Sequence, residues 1–103
     1  MKQPGYIYLL RLEQNLDPDM CAYKIGKSKS AHIRHKQLGI LLPYPLTIVH
    51  TVAVEDMDWA ESLLHSTFTL VRLNGEWFHL LNEDVAWICA LTTADLVPPA
   101  GWE

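Results

Sequence analysis

The sequence predicts an α+β layered domain: a small three-stranded antiparallel sheet flanked by helices. Three observations predict it. Residues 5–12, 20–25 and 46–54 are rich in the β-branched, aromatic and leucine side chains of strands. The loop between the first two, Glu13 to Asp19, is polar, contains Pro18 and is too short for a parallel crossover, so these strands pair as a hairpin. Helical patterns occupy about 30–38, 55–68 and 82–94.

Each element has a local cause. In the first strand Tyr6, Tyr8, Leu10 and Leu12 fall on one face, and Ile7, Leu9 and Arg11 on the other. Both faces are largely apolar, which predicts a central strand covered on each side. The second strand ends at Tyr23-Lys24-Ile25, where Gly26 supplies the backbone freedom for a sharp exit. Ser28 or Ser30 can cap the helix over 30–38, and Gly39 can end it. Pro43 and Pro45 then forbid helix. In the third strand Leu46, Ile48, His50, Val52 and Val54 alternate with Thr47, Val49, Thr51 and Ala53, which predicts one shared face for the first set.

Glu55-Asp56-Met57-Asp58 places acids at the positive end of the next helix. Its buried stripe is Ala60, Leu63, Leu64 and Phe68, with Glu61 and His65 one turn apart beside it. Arg72 to Gly75 is a turn and Glu76 to Leu80 a short extended piece, with Trp77 and Phe78 in the core. Asn82 caps the last helix, with Val85, Ile88 and Cys89 facing inward, and the Pro-rich tail over 97–103 frays.

Composition narrows the class. At 103 residues, half of them hydrophobic, the chain predicts one folded domain, 1–103. No apolar run is long enough to span a membrane and no signal-peptide pattern opens the chain, so the expected location is cytoplasmic. Cys21 and Cys89 are far apart and read as free thiols. A net charge of -4 argues against a nonspecific nucleic-acid coat but allows a focused basic cleft. Such a focus exists. Lys24, Lys27, Lys29, Arg34 and Lys36 hold five of the eight Lys and Arg residues, with His32 and His35 among them and no intervening carboxylate. A strand-turn-helix carrying this charge is an anion site, and phosphate is the obvious anion.

Four blocks now stand in order: Gly5-Tyr6-Ile7-Tyr8-Leu9-Leu10, Tyr23-Lys24-Ile25-Gly26-Lys27-Ser28, Ile33-Arg34-His35-Lys36-Gln37-Leu38, and Glu61 to Phe68 followed by Arg72 and Gly75-Glu76-Trp77-Phe78. Over about residues 5–80 they resemble the GIY-YIG nuclease family, in its T5orf172 or MUG113 branch. The resemblance implies a three-stranded antiparallel sheet with helices and metal-dependent hydrolysis of DNA phosphodiesters, single- or double-stranded. It implies Tyr8 as the first-motif tyrosine, Arg34 as the helix arginine and Glu61 as the acidic ligand of one divalent ion, Mg²⁺ or Mn²⁺. Lys24 stands where the family has its second tyrosine; the adjacent Tyr23 points to the other face. The family's late asparagine has no secure match, with Asn74 and Asn82 as the options, and Tyr6 is a further first-motif tyrosine.

The chemistry suits these residue types. One carboxylate, Glu61, can hold an Mg²⁺ that keeps most of its waters. Arg34 can donate two parallel hydrogen bonds to a phosphoryl group. Tyr8 can orient water, or take its proton if nearby cations lower a phenol pKa of about 10. Lys24 can supply that field or act as a base when desolvated, and His65 can bridge to the metal water or leaving group. Lys27, Lys29, His32, Lys36 and Arg72 are the candidate nucleic-acid contacts, although Arg72 can equally pair with Glu76. The reading requires Tyr8, Arg34 and Glu61 to meet around one hollow. A binding module that cuts nothing, or a protein-interaction domain using its acidic surface, are the competing functions. A homodimer is one way for so small a domain to gain specificity.

Overall fold

The computed structural model describes residues 2–12, 22–30 and 46–101. Five strands among them form one antiparallel sheet: β1 (Gly5–Leu12), β2 (Tyr23–Ser28), β3 (Leu46–Val54), β4 (Arg72–Asn74) and β5 (Trp77–Phe78). Their order is β3-β1-β2-β5-β4, so β1 is an interior strand, paired on both edges, while β2 takes the middle place. The sheet has two strands more than expected. The Arg72–Phe78 stretch folds into a hairpin around Gly75, whose φ of 56° favours glycine, and β5 adds to β2 through Tyr23↔Phe78 and Lys24↔Trp77. The helix expected over 30–38 and the rigid 41–45 connection lie outside the described residues, as do His32, Arg34, His35, Lys36 and Cys21.

One face of the sheet carries the main core. Ile7 and Leu9 of β1, Tyr23 and Ile25 of β2, and Val52 and Val54 of β3 meet Ala60, Leu64 and Phe68 of α1 (Met57–Thr67). Ile88 of α2 (Asn82–Cys89) and Leu96 close it. The opposite face buries Tyr8 and Leu10 against Leu46 and Ile48. β3 therefore does not present one apolar face as its alternation predicts. Leu9 pairs with His50 and Leu10 with Ile48, so Val49 is an extra residue. That irregularity reverses which side chains face which way, sending Val49 to the α1 side and Ile48 and Leu46 to the other.

The start of α1 agrees with expectation, whereas its stripe and both ends of α2 differ. Asp56 caps α1, its carboxylate accepting from the Asp58 and Trp59 amides. Leu63 is 39% exposed rather than part of the stripe. Asn82 is not the cap of α2: Leu81 occupies that position, its amide donating to Asp84. The helix stops at Cys89, which is exposed, not inward. Thr92 ends the run, since its amide and hydroxyl both donate to Asp95 and open a separate 3₁₀ turn at Thr93–Leu96. The tail does not simply fray there, because Leu96 and Pro98 are buried.

Candidate active site

Gly26 and Tyr8 set one side of the site. Gly26 lies inside β2, not at its exit, and has no positive φ. Its role is close approach. It pairs with Tyr8 across the strands, and a Cβ at Gly26 would overlap the Tyr8 hydroxyl and ring. The missing side chain is the space that the phenol occupies. Tyr8 is 2% exposed. Lys24 points to the same face of β2 two residues earlier, as strand alternation requires. Its ammonium is bonded to Glu76 at 2.6 Å and stands 5.7 Å from the Trp77 ring. Lys24 is buried and paired; Tyr23 points the other way, into the core.

Helix α1 sets the other side. Ala60 and Leu64 anchor it on the main core, which brings Glu61 and His65 to its half-buried flank. His65 Nε2 donates to the Ile25 carbonyl at 2.8 Å, and its ring packs against Phe78 with centroids 5.0 Å apart. The histidine expected to move protons therefore ties α1 to β2 through one of its two nitrogens. Glu61 sits one turn earlier. Its Oε2 is buried with no hydrogen-bond partner among the described residues, and its Oε1 lies 3.7 Å from the Lys27 ammonium. Lys27 is held more tightly by Asp58, at 2.6 Å. Asp58 and Glu61 are three residues apart, so both project beside Lys27 from the first turns of α1.

The electrostatics follow. Burial raises the Glu61 carboxyl above its ordinary value, helped by the Glu76 charge and opposed by His65, Lys27 and Lys24. The hydrogen bond to Asp58 raises the Lys27 ammonium, so it stays cationic. Glu61, Glu76, His65, Lys24 and Lys27 thus share one field at the end of the β2–α1 contact. The sealed Oε2 suits a ligand that can use a naked carboxylate oxygen: a hard cation or a strong donor. No set of three His, Cys, Asp or Glu side chains that could hold a metal occurs among the described residues. A lone-carboxylate site that leaves most positions to water is the kind these residues fit.

The other candidates are placed as follows. Lys29 is exposed just beyond β2, and Ser28 holds that bend by bonding both backbone groups of Ser30. Arg72 donates to the Gly75 carbonyl at 2.6 Å and lies 5.9 Å from the Phe78 ring; the partner of Glu76 is Lys24 instead. Tyr6 is 40% exposed, and Asn74 and Asn82 are exposed on β4 and at the start of α2. Arg34 lies outside the described residues. Tyr8 belongs to the small core on one sheet face and the α1 residues to the large core on the other, with the Gly26 segment of β2 between them. Sequence reasoning missed Asp58 as a site residue, although its spacing from Glu61 is one helical turn. It also missed Glu76 as the counter-ion of Lys24, because that contact depends on the β5 pairing.

No helix among the described residues is long and apolar enough to cross a membrane. No curated protein and no solved structure matches the chain. Residues 5–91 match the family model of the T5orf172 domain, a span that includes every element from β1 to α2 and all the side chains of the site. The chain belongs to the T5orf172 domain family.

Proposed function

We propose that this domain acts on nucleic acid as a metal-dependent endonuclease of GIY-YIG type, hydrolysing phosphodiester bonds in DNA. One observation supports the reading above the others: the buried Oε2 of Glu61, unpartnered among the described residues, on a carboxyl group that feels the charges of Lys27 and Lys24. A carboxylate left without a donor costs stability, and a site that keeps one has a use for it. Glu61 is the residue to hold a divalent cation, Mg²⁺ or Mn²⁺, and that ion supplies charge stabilisation and an acidified water when bound.

The chain's own groups carry the rest. The resemblance alone assigns the attacking water to Tyr8, whose ring is buried over Gly26 on the sheet face opposite the α1 core. Lys24, desolvated beside Trp77, provides positive charge on the same face. Arg34 clamps the phosphoryl oxygens, and Lys29 meets an adjacent phosphate. His65 keeps Glu61 in register with β2.

The test is nicking of labelled single- and double-stranded DNA with Mg²⁺, with Mn²⁺ and with EDTA. Cleavage should need the metal, and Glu61→Gln and Arg34→Ala should each lower it by at least about 100-fold in folded protein. Cleavage by these variants at the wild-type rate overturns the assignment. A second reading, a nucleic-acid-binding module that does not cut, draws on the tight Lys24–Glu76 pair, which neutralises the cation standing at the second tyrosine position. Salt-sensitive DNA binding with no metal-dependent product would favour it.

A further inference from the structure

We infer that Lys27 is a built-in counter-ion that competes with the divalent cation for Glu61, and that Asp58 weakens this competition by drawing the ammonium toward itself. The inference rests on the metal reading above and adds a residue that sets how tightly the ion is held.

The geometry is specific. Of the two Glu61 oxygens, Oε2 is sealed from solvent and Oε1 faces Lys27. A divalent ion ligated by Glu61 would stand about 2.0–2.1 Å from an oxygen, so it cannot share that place with a positive group close by. Lys27 is 3.7 Å from Oε1 but 2.6 Å from Asp58 Oδ1. Asp58 therefore parks the ammonium near Glu61 without surrendering it to Glu61. Asp58 is exposed, with 54% of its side-chain surface open, so solvent screens its direct field on a bound ion. Its effect on the metal passes through the lysine. The lysine side chain is 37% exposed and sits near the end of β2, and in this inference it swings away when the ion enters. The released ammonium is then available for a phosphate oxygen.

The measurement is Mn²⁺ binding to the full chain, followed by the loss of the free-ion paramagnetic resonance signal. Variants are Lys27→Met, Asp58→Asn, the double variant and Glu61→Gln, each checked for native circular dichroism. Lys27→Met should tighten Mn²⁺ binding about tenfold. Asp58→Asn should weaken it, because the freed ammonium moves fully onto Glu61. In the Lys27→Met background, Asp58→Asn should change nothing. If the wild type binds Mn²⁺ in a Glu61-dependent way, yet Lys27→Met leaves affinity unchanged or lower, the competition is overturned and the metal reading survives. Equal weakening by Asp58→Asn in both backgrounds overturns the part given to Asp58. If neither the wild type nor Lys27→Met shows Glu61-dependent binding, the metal reading falls, and the inference with it.

Discussion

Glu61 carries opposite demands. Burial lifts its carboxyl above the ordinary range, so the folded chain holds that proton more readily than the unfolded one. The sign follows. This group favours the fold at pH below the unfolded pKa, and that support is lost as pH rises through the folded pKa. At neutral pH the ionised, half-satisfied carboxylate weakens the fold. Glu61→Gln should therefore stabilise the protein by about 1 kcal/mol at pH 7 while abolishing metal binding. Thermal melts should show the gain shrinking as pH falls toward about 4. Gly26 makes the converse case. Gly26→Ala should cost about 3 kcal/mol in chemical denaturation, because its methyl lands on the Tyr8 ring. Pairing it with Tyr8→Ala should recover part of that loss, a coupling that two independent sites would not show.

At the scale of elements, the contact between α1 and β2 is fastened at one point outside the core. His65 donates to Ile25 between Lys24 and Gly26, four residues along the helix from Glu61. His65→Ala should destabilise by about 1–2 kcal/mol, read from urea titration, and Gln, whose amide reaches similarly far, should restore most of it. A positioning role also predicts that wild type and His65→Gln share one pH–rate profile; displacement of the acidic limb in the variant would return His65 to proton transfer. The elements themselves were mostly legible. β1, β3 and α1 follow from composition, alternation and acids at a helix start. β4 and β5 were read as a turn and an extended piece because three- and two-residue strands have no period of their own; pairing with β2 makes them strands. The reversal at Val49 was invisible for a related reason: a single extra residue changes facing without changing composition. The first Gly26 reading failed because glycine marks either backbone freedom or lack of bulk, and only the partner strand shows which.

For the whole molecule, the net charge of -4 and the basic stretch around residues 24–36 predict that nucleic-acid binding is local and salt-sensitive. Lys29→Ala should lower the slope of log affinity against log salt by roughly one unit, while Lys2→Ala, whose lysine pairs with Glu55, should leave it unchanged. Affinity titrations on a single-stranded oligonucleotide would check both. The site was legible as a list of residue types and blocks, but not as an arrangement. Glu61, Lys24 and Lys27 stood out by their blocks, whereas the ion pairs of Lys24 with Glu76 and of Lys27 with Asp58 and Glu61 emerged only where strand, helix and hairpin converge.

The hairpin closing the sheet has a consequence for any shortened version of this protein. A chain ended after Thr69 would keep Tyr8, Lys24, Arg34 and Glu61, to which the proposed chemistry falls, and the positioning residue His65. It would still lose the carboxylate that balances the deepest cation and the ring beneath the histidine. Such a fragment would own all the tools and lack the bench on which they are clamped.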